Sequence, residues 1–512
     1  MKRSCAAALL ATMACIPPTV TAPVPAPHTP ASVRTAIDSL IAQPEFRNAH
    51  WGVLIVDPVW VDTIYSHNAG KLFMPASNMK IITGAVALAR LGPEYRFLTQ
   101  IATRGEVVDS VLHGDLLVIG HGDPTVSDHM REDAMLPLLE IADSLAARGI
   151  ERITGQVVAA GDAFPDAVHG YGWAWDDFDY PYSAGVDELL FNEGFSEIVV
   201  RAGHSGGEPA TATASPESIF PNLRVTATTT EPNAVDSVAG DGVMPHTELD
   251  LSRDADSGEI VVGGTILAGD SATLRLTHVD PVAAYLVALG DALAARGIAV
   301  NGDSNSVPAG MDTAQGPASG VPSSLDTLFA MHSPPLSEIL RALEKPSQNQ
   351  IAEVLLKTLG LEVAGVGSAD SGRAVVERQL LAWGADPESF AVRDGSGLSR
   401  HNYVTPATLV LVLDAMRRHP DFGIFYDALP IAGVDGTIAR RMRDTPAAGN
   451  VRAKTGFIDK ARSLSGYVTT ADGELLLFSI LANNWTVPVR RVEEVQDVIA
   501  ARLAAMRLAR GR

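Results

Sequence analysis

Cysteine is almost absent. The chain has 512 residues and two cysteines, Cys5 and Cys15, both close to the N-terminus. Without that leader, the folded body has no disulfide framework and no thiol nucleophile. Lysine is nearly as scarce, limited to Lys2, Lys71, Lys80, Lys345, Lys357, Lys454 and Lys460. Positive charge is in deficit throughout. There are 39 Lys and Arg against 60 Asp and Glu, a formal net charge of -21. Removing Lys2 and Arg3 with a leader leaves 37 against 60, or -23. That balance argues against nucleic acid, because phosphate binding needs clustered cations. It also argues against electrostatic docking on anionic lipid. Past the leader no run reaches about 18 apolar residues, so a spanning helix is not expected there. There is no H-E-x-x-H, no Cys pair and no G-x-G-x-x-G opening a helix. No metal and no cofactor are implied.

What is present begins with an export signal over 1–22. Lys2 and Arg3 form a basic start, and residues 5–15 are apolar but too short to cross a bilayer. Val20-Thr21-Ala22 offers small residues for a cut after Ala22. A lipid on Cys15 is a second reading and an uncleaved anchor a third, so a peripheral association with a membrane stays open. Residues 23–34 read as a Pro-rich tether. Strands are expected at 51–56 and 63–66, followed by a helix over 79–91 that Gly92-Pro93 stops. From 98 to 324, β-like runs (111–120, 153–159, 197–202, 259–267) alternate with Gly, Pro, Ser and Thr. Two helices, 136–148 and 281–296, interrupt this block. It reads as one or two inserted domains, with 203–243 and 301–323 the most loop-like parts. Helices return at 335–343 and 350–360. A hairpin over 464–469 and 474–482 turns at Asp472-Gly473. A last helix near 490–510 places Val492, Val495, Ile499, Leu503 and Met506 on one face, expected to pack on a sheet.

Three short motifs carry the chemistry. In Ser77-Asn78-Met79-Lys80 the spacing puts Ser77 and Lys80 on one helix face. A serine hydroxyl needs an adjacent base to act as nucleophile, and a lysine serves only when its pKa is lowered. An isolated S-x-x-K is more often an N-cap serine beside a solvated lysine, but here only Lys80 has a serine three residues before it. Ser347-Gln348-Asn349 precedes an apolar helix. Lys454-Thr455-Gly456 precedes the terminal hairpin, where Gly456 would allow a substrate backbone to approach closely. Each of these two is weak alone.

In this order the three motifs form the set of penicillin-binding proteins and serine β-lactamases. The chain resembles the low-molecular-mass class C penicillin-binding proteins, D-alanyl-D-alanine carboxypeptidases/endopeptidases. Ser77 and Ser347 lie 270 residues apart (347 less 77), and that family is similar in carrying inserted domains there. Gly114-Asp115-Leu116-Leu117, Gly120 to Thr125, Ser333-Pro334-Pro335-Leu336 and Asp394 to Arg400 extend the resemblance from about residue 35 to the C-terminus. It implies an α+β multidomain fold: a transpeptidase or serine β-lactamase-like domain (35–97 and 325–512), an antiparallel sheet flanked by helices, with a large β-rich insertion over 98–324. It implies an exported, periplasmic or otherwise extracytoplasmic enzyme acting on peptidoglycan peptides and inhibited by β-lactams. By resemblance, Ser77 would form an acyl-enzyme, Lys80 would take its proton and Ser347 would relay a proton to the leaving amine. Asn349 would bind a substrate amide, Lys454 would set the local positive field and Thr455 would hold the terminal carboxylate. The backbone N–H groups of Ser77 and Phe457 would form an oxyanion hole.

One position departs from the pattern. Phe457 follows Lys454-Thr455-Gly456 where the family has Ser or Thr. This bears on terminal carboxypeptidase cleavage more than on endopeptidase cleavage, and Arg462 is a candidate to compensate. Asp162, before Ala163-Phe164, resembles a family Asp that faces the amino group of the stem-peptide side chain. Asp394 to Arg400 reads as a structural loop, and His121 as a hydrogen-bonded side chain without a ligand role. A β-lactamase or esterase on the same fold, and a catalytically silent wall-binding protein, are the rival readings.

Overall fold

The computed structural model describes residues 28–59, 61–232, 246–254, 258–300 and 325–508. The export signal, Cys5, Cys15, the first part of the tether (23–27) and the loop-like 301–323 lie outside the described residues, as does part of 203–243.

The two ends of the chain build one sheet. Its strand order is Asp62–His67, His50–Asp57, Leu475–Asn483, Ala461–Thr469, Arg452–Ile458, and every pair is antiparallel. The central pairing matches Val53 with Ile480, so the expected C-terminal hairpin is completed by the N-terminal one. Gly473 has φ of 89° at the hairpin turn, and Thr470 N–H donates to Glu474 O at 2.8 Å.

Alternation along these strands feeds two cores. Leu476, Phe478 and Ile480 point to one side, joined by Trp51, Val53 and Ile55 and covered by helices Pro30–Ile41 and Val489–Ala504. All five residues expected on the last helix's inner face are buried there, although Met506 lies just past the helix end. Leu477, Leu481 and Tyr467 point to the other side, into a helical layer. That layer holds Met79–Leu91, Leu336–Glu344, Asn349–Ala364, Ala369–Trp383, Pro406–Arg417 and Phe422–Ala428. Met79–Leu91 runs buried through its centre, its Gly92 C-cap N–H closing on Leu88 O.

Two boundaries move. Helix Pro30–Ile41 begins inside the stretch read as tether. Thr29 caps it, accepting from Ser32 N–H, with Pro30 in the first turn, and Val33 reaches the core. Strand Asp326–His332, past the expected boundary at 324, pairs with Leu98–Thr103 and not with the five-stranded sheet.

The segment between Leu98 and His332 has two cores. One lies among two small sheets and helices Met135–Ala146 and Pro281–Ala295. The other lies between a three-stranded and a four-stranded sheet over 195–277. The runs 111–120 and 153–159, expected as single strands, each split between two sheets. Val111–His113 pairs with Arg152–Ile153, and Leu116–Ile119 pairs with Val157–Ala159. Gly155 N–H donates to Gly114 O at the point where both runs change sheet. Among the described residues, no helix is long and apolar enough to cross a membrane.

Candidate active site

Ser77 sits in the 3-10 turn Ala76–Asn78 that opens helix Met79–Leu91. Ala76 adopts φ of 47°, a left-handed conformation that a non-glycine residue holds only when its surroundings enforce it. The enforcing contacts are visible. Ser463 Oγ donates to Pro75 O at 2.7 Å, and Asn78 Nδ2 donates to Lys454 O at 2.9 Å. The first clamps the turn to strand Ala461–Thr469 and the second to strand Arg452–Ile458. A Cβ at Gly456 would stand 2.2 Å from Ser463 Oγ, 2.6 Å from Pro75 O and 2.9 Å from Ser77 N. Gly456 therefore makes room for the nucleophile's own turn, a reason different from the close substrate approach expected of it.

Lys80 is completely buried. Its Nζ donates to Ser77 Oγ at 3.0 Å, to Asn349 Oδ1 at 2.6 Å and to Ser396 O at 2.8 Å. Burial pushes its pKa down to about 8, against opposing carboxylates led by Glu344. A buried lysine on a serine hydroxyl, titrating near neutrality, is a competent general base. Lys454 is equally buried, and desolvation together with Lys80 lowers its pKa as well.

Ser347 adopts φ of 69° between helices Leu336–Glu344 and Asn349–Ala364. Gln348 caps the second helix by accepting from Gln350 N–H and Ile351 N–H, and its Nε2 donates to Glu193. Asn349 Nδ2 donates to Tyr182 O, and Gln350 Nε2 to Pro181 O and Ala184 O. The S-x-N segment thus also fastens residues 181–184 beside the site.

Ser77, Ser347, Asn349 and Phe457 line one cavity of about 550 Å³. Tyr182, Leu398, Arg400 and Asp459 share its wall with Asp176 and Asp177. Thr455 Oγ1 donates to Thr437 Oγ1 at 2.7 Å. Thr437 is thus a second hydroxyl in a region where Phe457 offers none. Phe457 is 53% exposed. Arg462 does not reach the carboxylate end: it is ion-paired with Glu493, with its guanidinium 5.5 Å from the Phe457 ring centroid.

Two sequence expectations change. Asp162 is exposed and is not part of the cavity wall. The acids there are Asp176, Asp177 and Asp459, and the run Trp173-Ala174-Trp175-Asp176-Asp177 was the signal available for the first two. The loop Asp394 to Arg400 is part of the site, since Ser396 O accepts from Lys80 and Leu398 and Arg400 face the cavity. Its shape is held by two buried acids. Glu353 accepts from Gly395 N–H and Ser396 N–H, and Asp394 from Trp173 Nε1, Gly397 N–H, Ser399 N–H and Asn402 Nδ2. His121 Nδ1 pairs with Leu98 O, as a structural histidine would.

A serine on the cavity wall with a buried lysine behind it at a helix start, faced by an S-x-N loop and a K-T-G edge strand, defines a serine acyl-transfer enzyme of the penicillin-recognising fold. The chain belongs to the D-Ala-D-Ala carboxypeptidase 3 (S13) family, which it matches over residues 33–506. It is a serine-type D-alanyl-D-alanine peptidase of the low-molecular-mass penicillin-binding class. It is 35% identical over 493 residues to the D-alanyl-D-alanine carboxypeptidase of Actinomadura sp. (strain R39), covering 92% of this chain and 84% of that protein. It is 27% identical over 438 residues to a D-alanyl-D-alanine carboxypeptidase of Haemophilus influenzae, covering 83% of each. The fold is similar to the crystal structure of penicillin-binding protein 4 from Haemophilus influenzae, with a TM-score of 0.74 at 24% identity, covering 90% of this chain and 98% of that one.

Proposed function

We propose that Ser77 is the acylating nucleophile of a penicillin-sensitive DD-peptidase that cleaves D-alanyl bonds in peptidoglycan stem peptides. The observation that carries this is the buried Lys80 Nζ, 3.0 Å from Ser77 Oγ. Ser77 Oγ attacks the penultimate D-Ala carbonyl while Lys80 takes its proton. The oxyanion is held by the N–H groups of Ser77 and Phe457. Ser347 passes a proton to the leaving amine, and water then cleaves the acyl-enzyme. Lys454 and Thr455, with Thr437 behind it, receive the substrate carboxylate. Asn349 holds Lys80 in position through Oδ1, and a substrate amide would have to displace its Nδ2 contact with Tyr182. Asp176 and Asp177 suit a cationic amine on the stem-peptide side chain by charge pairing, the role first expected of Asp162.

The leader supports export, and we place the enzyme outside the cytoplasm, in the periplasm or its equivalent. Residues 98–324, together with strand Asp326–His332, act as an insertion of two units, one per hydrophobic core. The test is incubation with pentapeptide monomers and cross-linked muropeptides, read by mass beside Ser77→Ala. Loss of D-Ala or opening of the cross-link by the wild type alone supports the reading. No turnover of either, with Ser77 unlabelled by penicillin, refutes it in favour of a wall-binding protein. Rapid release of hydrolysed penicillin would favour a β-lactamase.

A further inference from the structure

Helix Leu336–Glu344 ends on a carboxyl that the reaction scheme leaves unused. Glu344 is completely buried. Neither of its oxygens has a hydrogen-bond partner among the described residues. A carboxylate is kept in such a place only where another charge answers it.

Two charges do so. Gly84 lies one helical turn after Lys80 on the same face. A Cβ at Gly84 would stand 2.9 Å from Glu344 Oε1 and 3.3 Å from Leu343 Cδ2. The carboxyl therefore rests in space that Gly84 leaves open, against the helix face that carries Lys80. Lys454 acts on the same carboxyl and favours its ionised form more strongly than Lys80 does.

The other acids near Lys80 are committed elsewhere. Glu353 and Asp394 spend their oxygens on the backbone and side-chain donors of residues 395–402 and on Trp173. Lys454 faces Lys80, Glu344 and Arg462, and Arg462 has its own partner in Glu493. Burial disfavours both ammonium groups and the Glu344 carboxylate alike. Such a set holds charge in compensated combinations, and its protons belong to the set as a whole.

We propose that Glu344 is a positioning residue that supplies the shared counter-charge of Lys80 and Lys454, so that one lysine keeps its proton while the other gives its proton up. Proton transfer from Ser77 Oγ requires the neutral one to be Lys80, so the productive arrangement of the set is the one in which Lys80 has given its proton up. Lys454 stays positive for the substrate carboxylate. The trio then carries no net charge: one cation, one anion, one neutral base. This inference rests on the function proposed above.

The test is the pH profile of acylation by a fluorescent penicillin between about pH 5 and 10. It compares wild type, Glu344→Gln and Gly84→Ala, with Ser77→Ala as the blank. Glutamine keeps the volume and removes the charge. Both lysines lose a stabilising neighbour, so both limbs of the profile should fall by about one pH unit. Gly84→Ala keeps every charge and displaces the carboxyl, and should move both limbs the same way by less. It also carries the test if Glu344→Gln does not fold. Limbs that coincide with wild type in the folded variants overturn the proposal, even if their thermal stability drops. A wild type that penicillin does not acylate overturns the functional reading instead.

Discussion

Gly456→Ala is the sharpest perturbation of this site. The added Cβ would lie 2.2 Å from Ser463 Oγ, 2.6 Å from Pro75 O and 2.9 Å from Ser77 N. Carbon contacts settle at about 3.5–4.0 Å. The strand and the nucleophile turn must therefore separate by roughly 1 Å. Ser463 cannot simply rotate away, because its hydroxyl holds Pro75 O at 2.7 Å. The other two atoms belong to the backbone. Overpacking of this kind costs about 1–3 kcal/mol of stability, which a sheet paired on both sides of Ala461–Thr469 can absorb. The effect on rate should be larger. A misplacement of about 1 Å costs roughly 100-fold, or about 2.7 kcal/mol of activation free energy. The assay is the second-order rate constant for penicillin acylation, measured beside a thermal melt. Acylation within about threefold of wild type would refute the argument that Gly456 sets the position of Ser77.

Three further outcomes follow from the same geometry. Acylation by the wild type should rise as the pH climbs through about 8, because the neutral form of Lys80 is the base and burial lowers its pKa to about 8; a rate already level well below that pH would count against Lys80. Asp177→Asn should raise KM for stem peptides that carry a side-chain amine by roughly tenfold and leave penicillin acylation near wild type, since one charge-assisted contact is lost; steady-state kinetics on amine-bearing and amine-free peptides separates the two cases. Thr437→Val should raise KM for carboxylate-bearing substrates several-fold with little change in kcat, because it removes the hydroxyl that accepts from Thr455; an unchanged KM would free Thr437 of that role.

Much of the site was legible in the residues because its chemistry is local. Ser77 and Lys80 share a helix face by spacing alone, and Lys454-Thr455-Gly456 sits on a strand whose pattern is plain. The short helix signals were weaker. Pro30–Ile41 hid in a Pro-rich stretch whose Thr29-Pro30-Ala31-Ser32 start was in fact a cap. The runs 111–120 and 153–159 read as single strands because periodicity cannot show that a chain leaves one sheet for another.

By itself, then, the sequence determined the spacing of Ser77 and Lys80, the order of the three motifs and the confinement of cysteine to Cys5 and Cys15. Each of these is a property of residue type and short spacing. Tertiary structure alone decided what surrounds them. It joined strands more than 400 residues apart (His50 with Asn483) into one sheet. It put Asp176 and Asp177, and not Asp162, on the cavity wall, turned Arg462 toward Glu493 and set Thr437 behind Thr455. It also left Glu344 without a hydrogen-bond donor among the described residues, in the charge field of two lysines. Burial and the convergence of distant segments determine those relationships, and neither is written in any local pattern of residues.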